Sequence, residues 1–300
     1  MTETTRTPGP APVPVPGPVP APGPAPAPVR RSVPRWLEQV AGTLDRVLRR
    51  PPLLHVAGDE GDGPPVVLVH GIASSSVTFQ KLVPLLVGTH RVISIDILGF
   101  GRSPAPADAQ YTIEEHVAAL HRTIRSLRLG RPFVLVGHSL GSLIVSRYAA
   151  VHPEGLERLI LVSPPIYDNP SSIGDRRVRG RVSAYLRAYD FLRANRDFTI
   201  RNARMVGALL PIRGLLQITE TNWTPFVLSL EHCIESQTAV SDLSRVRIPV
   251  HVVYGTLDQF IAPGSLAVVE AMRMVTMHKV EGSDHIIRRR LARVIAAACG

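Results

Sequence analysis

The sequence predicts an α/β protein: a mostly parallel central sheet flanked by helices, interrupted late in the chain by a helical insertion. Three observations predict it. Strand-like runs at residues 66–69, 91–97, 133–136, 156–162, 250–254 and 275–280 alternate with stretches of helical spacing. Strands alternating with helices imply a mostly parallel sheet covered on both faces. The run Phe133–Val136 leads through Gly137-His138-Ser139-Leu140-Gly141 into a helical pattern over 143–150. That is a strand, a tight turn with serine at its apex, then a helix. Between Pro164 and Arg247 the alternation stops, and it resumes at Pro249.

Taken in order, the chain opens with proline at every even position from Pro8 to Pro28. Proline lacks the N–H a ladder or helix needs and fixes φ, so residues 1–34 are expected to be a disordered, extended tail. The same prolines break the helical apolar region of a signal peptide. Trp36, Leu37, Val40, Leu44, Val47 and Leu48 fall near helical spacing and end at Arg49-Arg50-Pro51. A short strand is expected over 53–57, a turn over 58–65 and a buried strand over 66–69. A helix over 77–87 and a strand over 91–97 follow. Thr112 with Glu115 three residues on reads as a capping box opening a helix over 112–129. After the strand over 156–162 comes the insertion, 164–247, with prolines at both joins. Strands over 250–254 and 275–280 and a helix over 286–298 complete the core, expected to comprise residues 35–163 and 248–300.

Composition narrows the function classes. Two cysteines, Cys233 and Cys299, match no metal spacing and suit a reducing compartment, so a cytoplasmic location is expected. No run of eighteen apolar residues exists, so no integral membrane segment is expected. The net charge of +10 concentrates near the N-terminus and between Arg176 and Arg213. No nucleic-acid motif accompanies it, which leaves a solvated surface, an acidic partner or an anionic substrate.

The chemistry starts at Ser139. A serine hydroxyl is a poor nucleophile at neutral pH and needs a base, which in turn needs an orienting acid. Both belong in loops that follow later strands. His285 follows the 275–280 strand, and Asp258 follows the 250–254 strand. Asp168 and Asp242 are rival acids, and Asp284 is a candidate helix cap. The order Ser139…Asp258…His285, the elbow Gly137-His138-Ser139-Leu140-Gly141, the dipeptide His70-Gly71 and the loop Asp96…Gly99-Phe100-Gly101-Arg102-Ser103 together resemble the α/β-hydrolase fold superfamily from about residue 51 onward. The resemblance implies Ser139 as nucleophile, His285 as base and Asp258 as its orienting partner. Some members carry the acid after an earlier strand, which keeps Asp168 open. Backbone N–H groups of Ile72 and Leu140 are the expected oxyanion donors. His70-Gly71-Ile72-Ala73 lacks the triple glycine of some esterases.

Serine rather than aspartate at the elbow argues against epoxide hydrolase and dehalogenase chemistry. The reading is therefore a serine hydrolase cleaving a carboxylic ester of a small or medium apolar molecule, with no metal or organic cofactor. The alternatives are a carbon–carbon bond hydrolase of vinylogous diketones, a cofactor-free perhydrolase, and a non-catalytic ligand-binding protein. Seven of the fifteen aromatics fall in the 164–247 insertion. Most are expected to form its own core and a few to line the pocket. An inward arginine among Arg176, Arg177, Arg179 and Arg181 would favour a substrate carboxylate. The expected partner is a small-molecule substrate; the sequence leaves the oligomeric state open.

Overall fold

The computed structural model describes residues 50–167, 176–209, 217–261 and 264–300. The expectations for the proline-rich tail, the 36–48 helix and Asp168 lie outside the described residues. Pro51–Gly300 form one compact unit. Its elements in order are β1 (Val56–Glu60), β2 (Pro65–Val69), a 3₁₀ turn (Ser76–Phe79), α1 (Val83–Leu86), β3 (Arg91–Ile95), α2 (Ile113–Ser126), β4 (Phe133–His138), α3 (Leu140–Val151) and β5 (Leu156–Val162). The insertion supplies α4 (Arg176–Ala194), α5 (Arg196–Leu209), α6 (Trp223–Ser229), a π-helical turn (Leu230–Glu235) and α7 (Ala239–Arg245). Then come β6 (Val250–Gly255), α8 (Ala267–Glu270), β7 (Val275–Val280) and α9 (Arg289–Cys299).

The strands form one sheet in the order β1-β3-β2-β4-β5-β6-β7, parallel except for β1. Alternate residues of each central strand enter opposite cores. Val67, Val69, Leu135, Leu159 and Leu161 pack with α2 and α3. Val66, Leu68, Val134, Val136 and Ile160 pack with Phe79, Leu82, Leu291 and Ile295 on the other side. Period-two side chains with both faces covered explain why these strands read as unbroken apolar runs.

Four local expectations need correction. The first strand is 56–60, not 53–57. As the antiparallel edge strand it packs few side chains, so its Gly-Asp-Glu end looks like a turn, although Asp59 pairs with Arg91 at 2.6 Å. His55 therefore precedes the strand instead of sitting in it. The single helix expected over 77–87 is broken, because Pro84 has no N–H with which to continue a helix from the preceding turn. In the capping box, Thr112 accepts from the Glu115 N–H at 3.3 Å, but the Glu115 carboxylate reaches past the cap to the N–H groups of Tyr111 and Gln110, at 2.6 and 2.8 Å. The closing helix starts at Arg289, and Ile286 and Ile287 face a cavity instead.

Candidate active site

The parallel strands β2, β4, β6 and β7 all end on one side, the side where open α/β sheets bind ligands. Ser139 follows β4 with φ 53° and ψ −124°, a left-handed conformation that is costly for a side-chain-bearing residue. The close approach of helix and strand is possible only through glycine. A Cβ on Gly137 would lie 2.4 Å from the Gly141 carbonyl oxygen, and one on Gly141 would lie 2.3 Å from that of Val69. The Ser139 N–H still donates to the Val162 carbonyl at 2.9 Å, so the turn is anchored to the sheet. Ser139 also caps α3, where the helix dipole favours negative charge.

His285 and Asp258 meet across the ends of β7 and β6. The His285 Nδ1–H faces both carboxylate oxygens, at 2.9 and 3.0 Å, and the Asp258 side chain is fully buried. Burial pushes the Asp258 carboxyl up, but the bond and charge of His285, the neighbouring Ser163 hydroxyl and the Phe260 N–H hold it below the usual carboxylate value. Ser163 Oγ is itself buried and falls outside hydrogen-bonding geometry, so its effect is that of a nearby dipole. Among the described residues no hydrogen bond joins Ser139 to His285, but both line one cavity of about 370 Å³.

The rival Asp242 is committed elsewhere. It accepts from Thr238 at 2.8 Å and lies 3.2 Å from Arg147. Asp284 accepts from the Ile286 N–H and pairs with Arg288, capping the turn before α9.

His138 is a contact the sequence reading passed over, though it sits inside the serine motif. Its Nε2–H donates to the His285 carbonyl at 2.9 Å, and its ring packs 4.8 Å from the His285 ring. Phe260 packs edge-on against the same ring at 4.6 Å. His285 is thus held from two sides and by its own backbone. Only long-range contact reveals this, because His138 and His285 are far apart in sequence.

The loop after β2 is fixed with equal care. The Ile97 N–H donates to His70 Nε2 at 3.0 Å, so the His70 proton sits on Nδ1 and is donated to the Gly71 carbonyl at 2.8 Å. In a trans peptide the C=O and N–H point in opposite directions. Holding the Gly71 carbonyl therefore sets the direction of the Ile72 N–H. A Cβ on Gly71 would lie 2.7 Å from Ser139 Cβ, which places this peptide directly beside the serine. Among the described residues neither Ile72 N–H nor Leu140 N–H is taken up by a loop or side-chain acceptor. Beneath the loop, Asp96 accepts from the N–H groups of Ser76 and Arg102, at 2.8 and 2.9 Å, which gives the Asp96…Ser103 motif its structural meaning.

The cavity is mainly apolar. Leu192, Ile218, Phe226 and Leu230 from the insertion face Ile72 and Ile287 from the core, with Ser74, Thr78, Thr199, Asn202 and Gln259 as polar lining besides Ser139 and the two histidines. No arginine or lysine lines it among the described residues; Arg176 and Arg177 are exposed. Of the insertion's aromatics, Tyr189 and Phe226 reach the cavity, whereas Phe191 and Phe198 are about half exposed, at 50% and 49%. Among the described residues no three His, Cys, Asp or Glu side chains are grouped to hold a metal, and no helix is long and apolar enough to cross a membrane.

Buried histidines give the protein a pH dependence. Burial holds His116 and His138 neutral down to about 3, against an ordinary 6.5. The unfolded chain therefore binds more protons than the folded one between these values. Stability is complete above the ordinary value and falls as pH drops through the window, by about 1.4 kcal/mol per pH unit for each histidine. The urea midpoint is expected to fall between neutral and mildly acidic pH, and His116→Gln should flatten that slope. An unchanged slope in the variant would show that His116 is not buried neutral.

A family model described as the alpha/beta hydrolase fold matches residues 64–287. A probable lysophospholipase of Arabidopsis thaliana, BODYGUARD 3, is 37% identical over 121 residues, which is 39% of this chain and 24% of that protein. The chain thus spans about a quarter of the length of that relative. The pimeloyl-[acyl-carrier protein] methyl ester esterase of Aeromonas hydrophila is 29% identical over 241 residues, covering 75% of this chain and 91% of the relative. Among solved structures, an esterase from Exiguobacterium antarcticum superposes with a TM-score of 0.64 at 21% identity, covering 81% of this chain and 94% of that one.

Proposed function

Because the chain belongs to the alpha/beta hydrolase fold family, we propose that it is a serine hydrolase cleaving neutral carboxylic esters with a small or medium apolar acyl group. The observation that carries this reading is the placement of a strained Ser139 and the His285–Asp258 pair on one apolar cavity. Ser139 Oγ attacks the ester carbonyl and its proton passes to His285 Nε2. Asp258, held ionised, keeps the proton of Nδ1 in place and stabilises the imidazolium that forms. The Ile72 and Leu140 N–H groups receive the oxyanion, each worth roughly 100- to 1,000-fold in rate. His285 then protonates the leaving alcohol, and water, deprotonated by the same nitrogen, releases the acid. The hydrogen bond from serine to histidine forms when substrate closes the site, as is common for catalytic bonds that are long in the free enzyme.

Neutrality of the substrate follows from the lining. A buried carboxylate on the ligand would need a cation, and the described lining offers none. This disfavours the carbon–carbon hydrolase reading, whose vinylogous diketone is expected to carry such a group. The insertion acts as a lid that selects the acyl group. A series of p-nitrophenyl esters tests both points. Leu192→Phe, which fills the cavity, is expected to move the preferred acyl length downward by changing discrimination about tenfold or more, within the 1–3 kcal/mol that a methylene-sized contact carries. Acetate turnover should barely change. An unaltered length profile would remove the insertion from substrate choice, and no ester turnover at all would sink the hydrolase reading.

A further inference from the structure

The outer face of the insertion points to a second binding partner, an anionic lipid surface. Helices α4 and α5 form a pair whose two faces differ sharply. Leu192, Thr199, Asn202 and Ala203 turn toward the cavity. Arg187 and Phe191, four residues apart on α4, and Phe198, Arg201 and Met205, at helical spacing on α5, are exposed. The Phe191 and Phe198 rings meet edge-on at 5.4 Å, so the two helices share one outward apolar patch, extended by Met205, which is 59% exposed.

The charge around the patch is net positive, although Glu231 and Glu235 pair with Arg193 and Glu220 with Arg196. Residues 176–205 hold nine arginines and two aspartates, most of the chain's net +10. Asp190 is taken by Arg193 at 2.9 Å, and Asp197 lies 3.6 Å from Arg196. Arg187 and Arg201 have no carboxylate partner among the described residues. Exposed rings and a thioether flanked by unpaired arginines, on a helix pair whose opposite face is buried, are what an interfacial helix presents to lipid. A second copy of this chain fits the patch poorly, since a self-complementary contact would set the same cations against each other.

We propose that the outer face of α4 and α5 docks on anionic phospholipid headgroups, with Arg187 and Arg201 on the phosphates and Phe191, Phe198 and Met205 in the boundary beneath them. Each arginine near such a surface adds attraction that salt screens. The docking does not depend on turnover, so the Ser139→Ala protein serves as well as the wild type.

Cosedimentation of the full chain with vesicles of phosphatidylcholine, with or without phosphatidylserine, tests this. Binding is expected only with phosphatidylserine and should weaken at high salt. The pair R187E and R201E is expected to lower partitioning about tenfold or more. The pair F191S and F198S should lower it comparably while leaving the salt dependence in place. Both double variants should keep the wild-type melting temperature and soluble-ester turnover, because all four side chains are exposed and lie outside the cavity. Equal binding to neutral vesicles overturns the proposal, as does wild-type binding by both double variants, which would move the contact to the basic residues near the N-terminus. A wild-type dimer that F191S and F198S convert to monomer would likewise overturn it, making the patch a self-association surface.

Discussion

Ser139→Ala is expected to abolish labelling by a fluorophosphonate probe and to cut ester turnover by several orders of magnitude, with the fold intact. The hydroxyl contributes no hydrogen bond that holds the elbow; the turn is anchored by the Ser139 backbone N–H, the Ser139 carbonyl that accepts from Ser142, and the flanking glycines. Alanine keeps all of these, so circular dichroism and melting temperature should be close to wild type. Residual activity of about 10³–10⁴-fold over water would come from the N–H donors and binding alone. Activity-based labelling followed by gel analysis reads the result directly. Undiminished labelling would place the nucleophile elsewhere and remove the basis for the proposed reaction.

Asp258→Asn is expected to lower turnover by about 10⁴-fold with little change in KM. The amide can offer its N–H to the imidazole and so favour the wrong tautomer, with no negative charge to stabilise the imidazolium. The geometry makes the effect specific, because both carboxylate oxygens face the same His285 nitrogen. Asp168→Asn is the matching control and should do far less. A reversal of the two effects would transfer the orienting role to the loop after β5. Equal, small effects would mean that His285 works without a carboxylate. Steady-state kinetics on a short ester separate these outcomes.

Much of the molecule is legible in its sequence for a physical reason. A strand buried on both faces must be apolar at consecutive positions, so residues 66–69 and 159–162 declare themselves without any partner being known. The turn at Ser139 is equally local, since two glycines are forced where helix and strand cross closer than a Cβ allows. The edge strand is hard to read in the sequence because one row of its backbone groups faces solvent and its side chains are free to be polar. The stretch 77–87 does not form one helix because Pro84 has no N–H with which to continue it. The role of His138 is not legible locally, because its partner is a carbonyl 147 residues away.

The sequence by itself determined the alternation of strand and helix and the serine at a forced turn, since each rests on contacts between near neighbours. Tertiary structure alone decided that Asp258, and not Asp242, meets His285, because only the packed sheet brings the ends of β6 and β7 together while committing Asp242 to Arg147. It also decided which insertion side chains face the cavity and which face water. Helical spacing says that Leu192 and Phe191 differ in direction, but only the packed body says which of the two is inside.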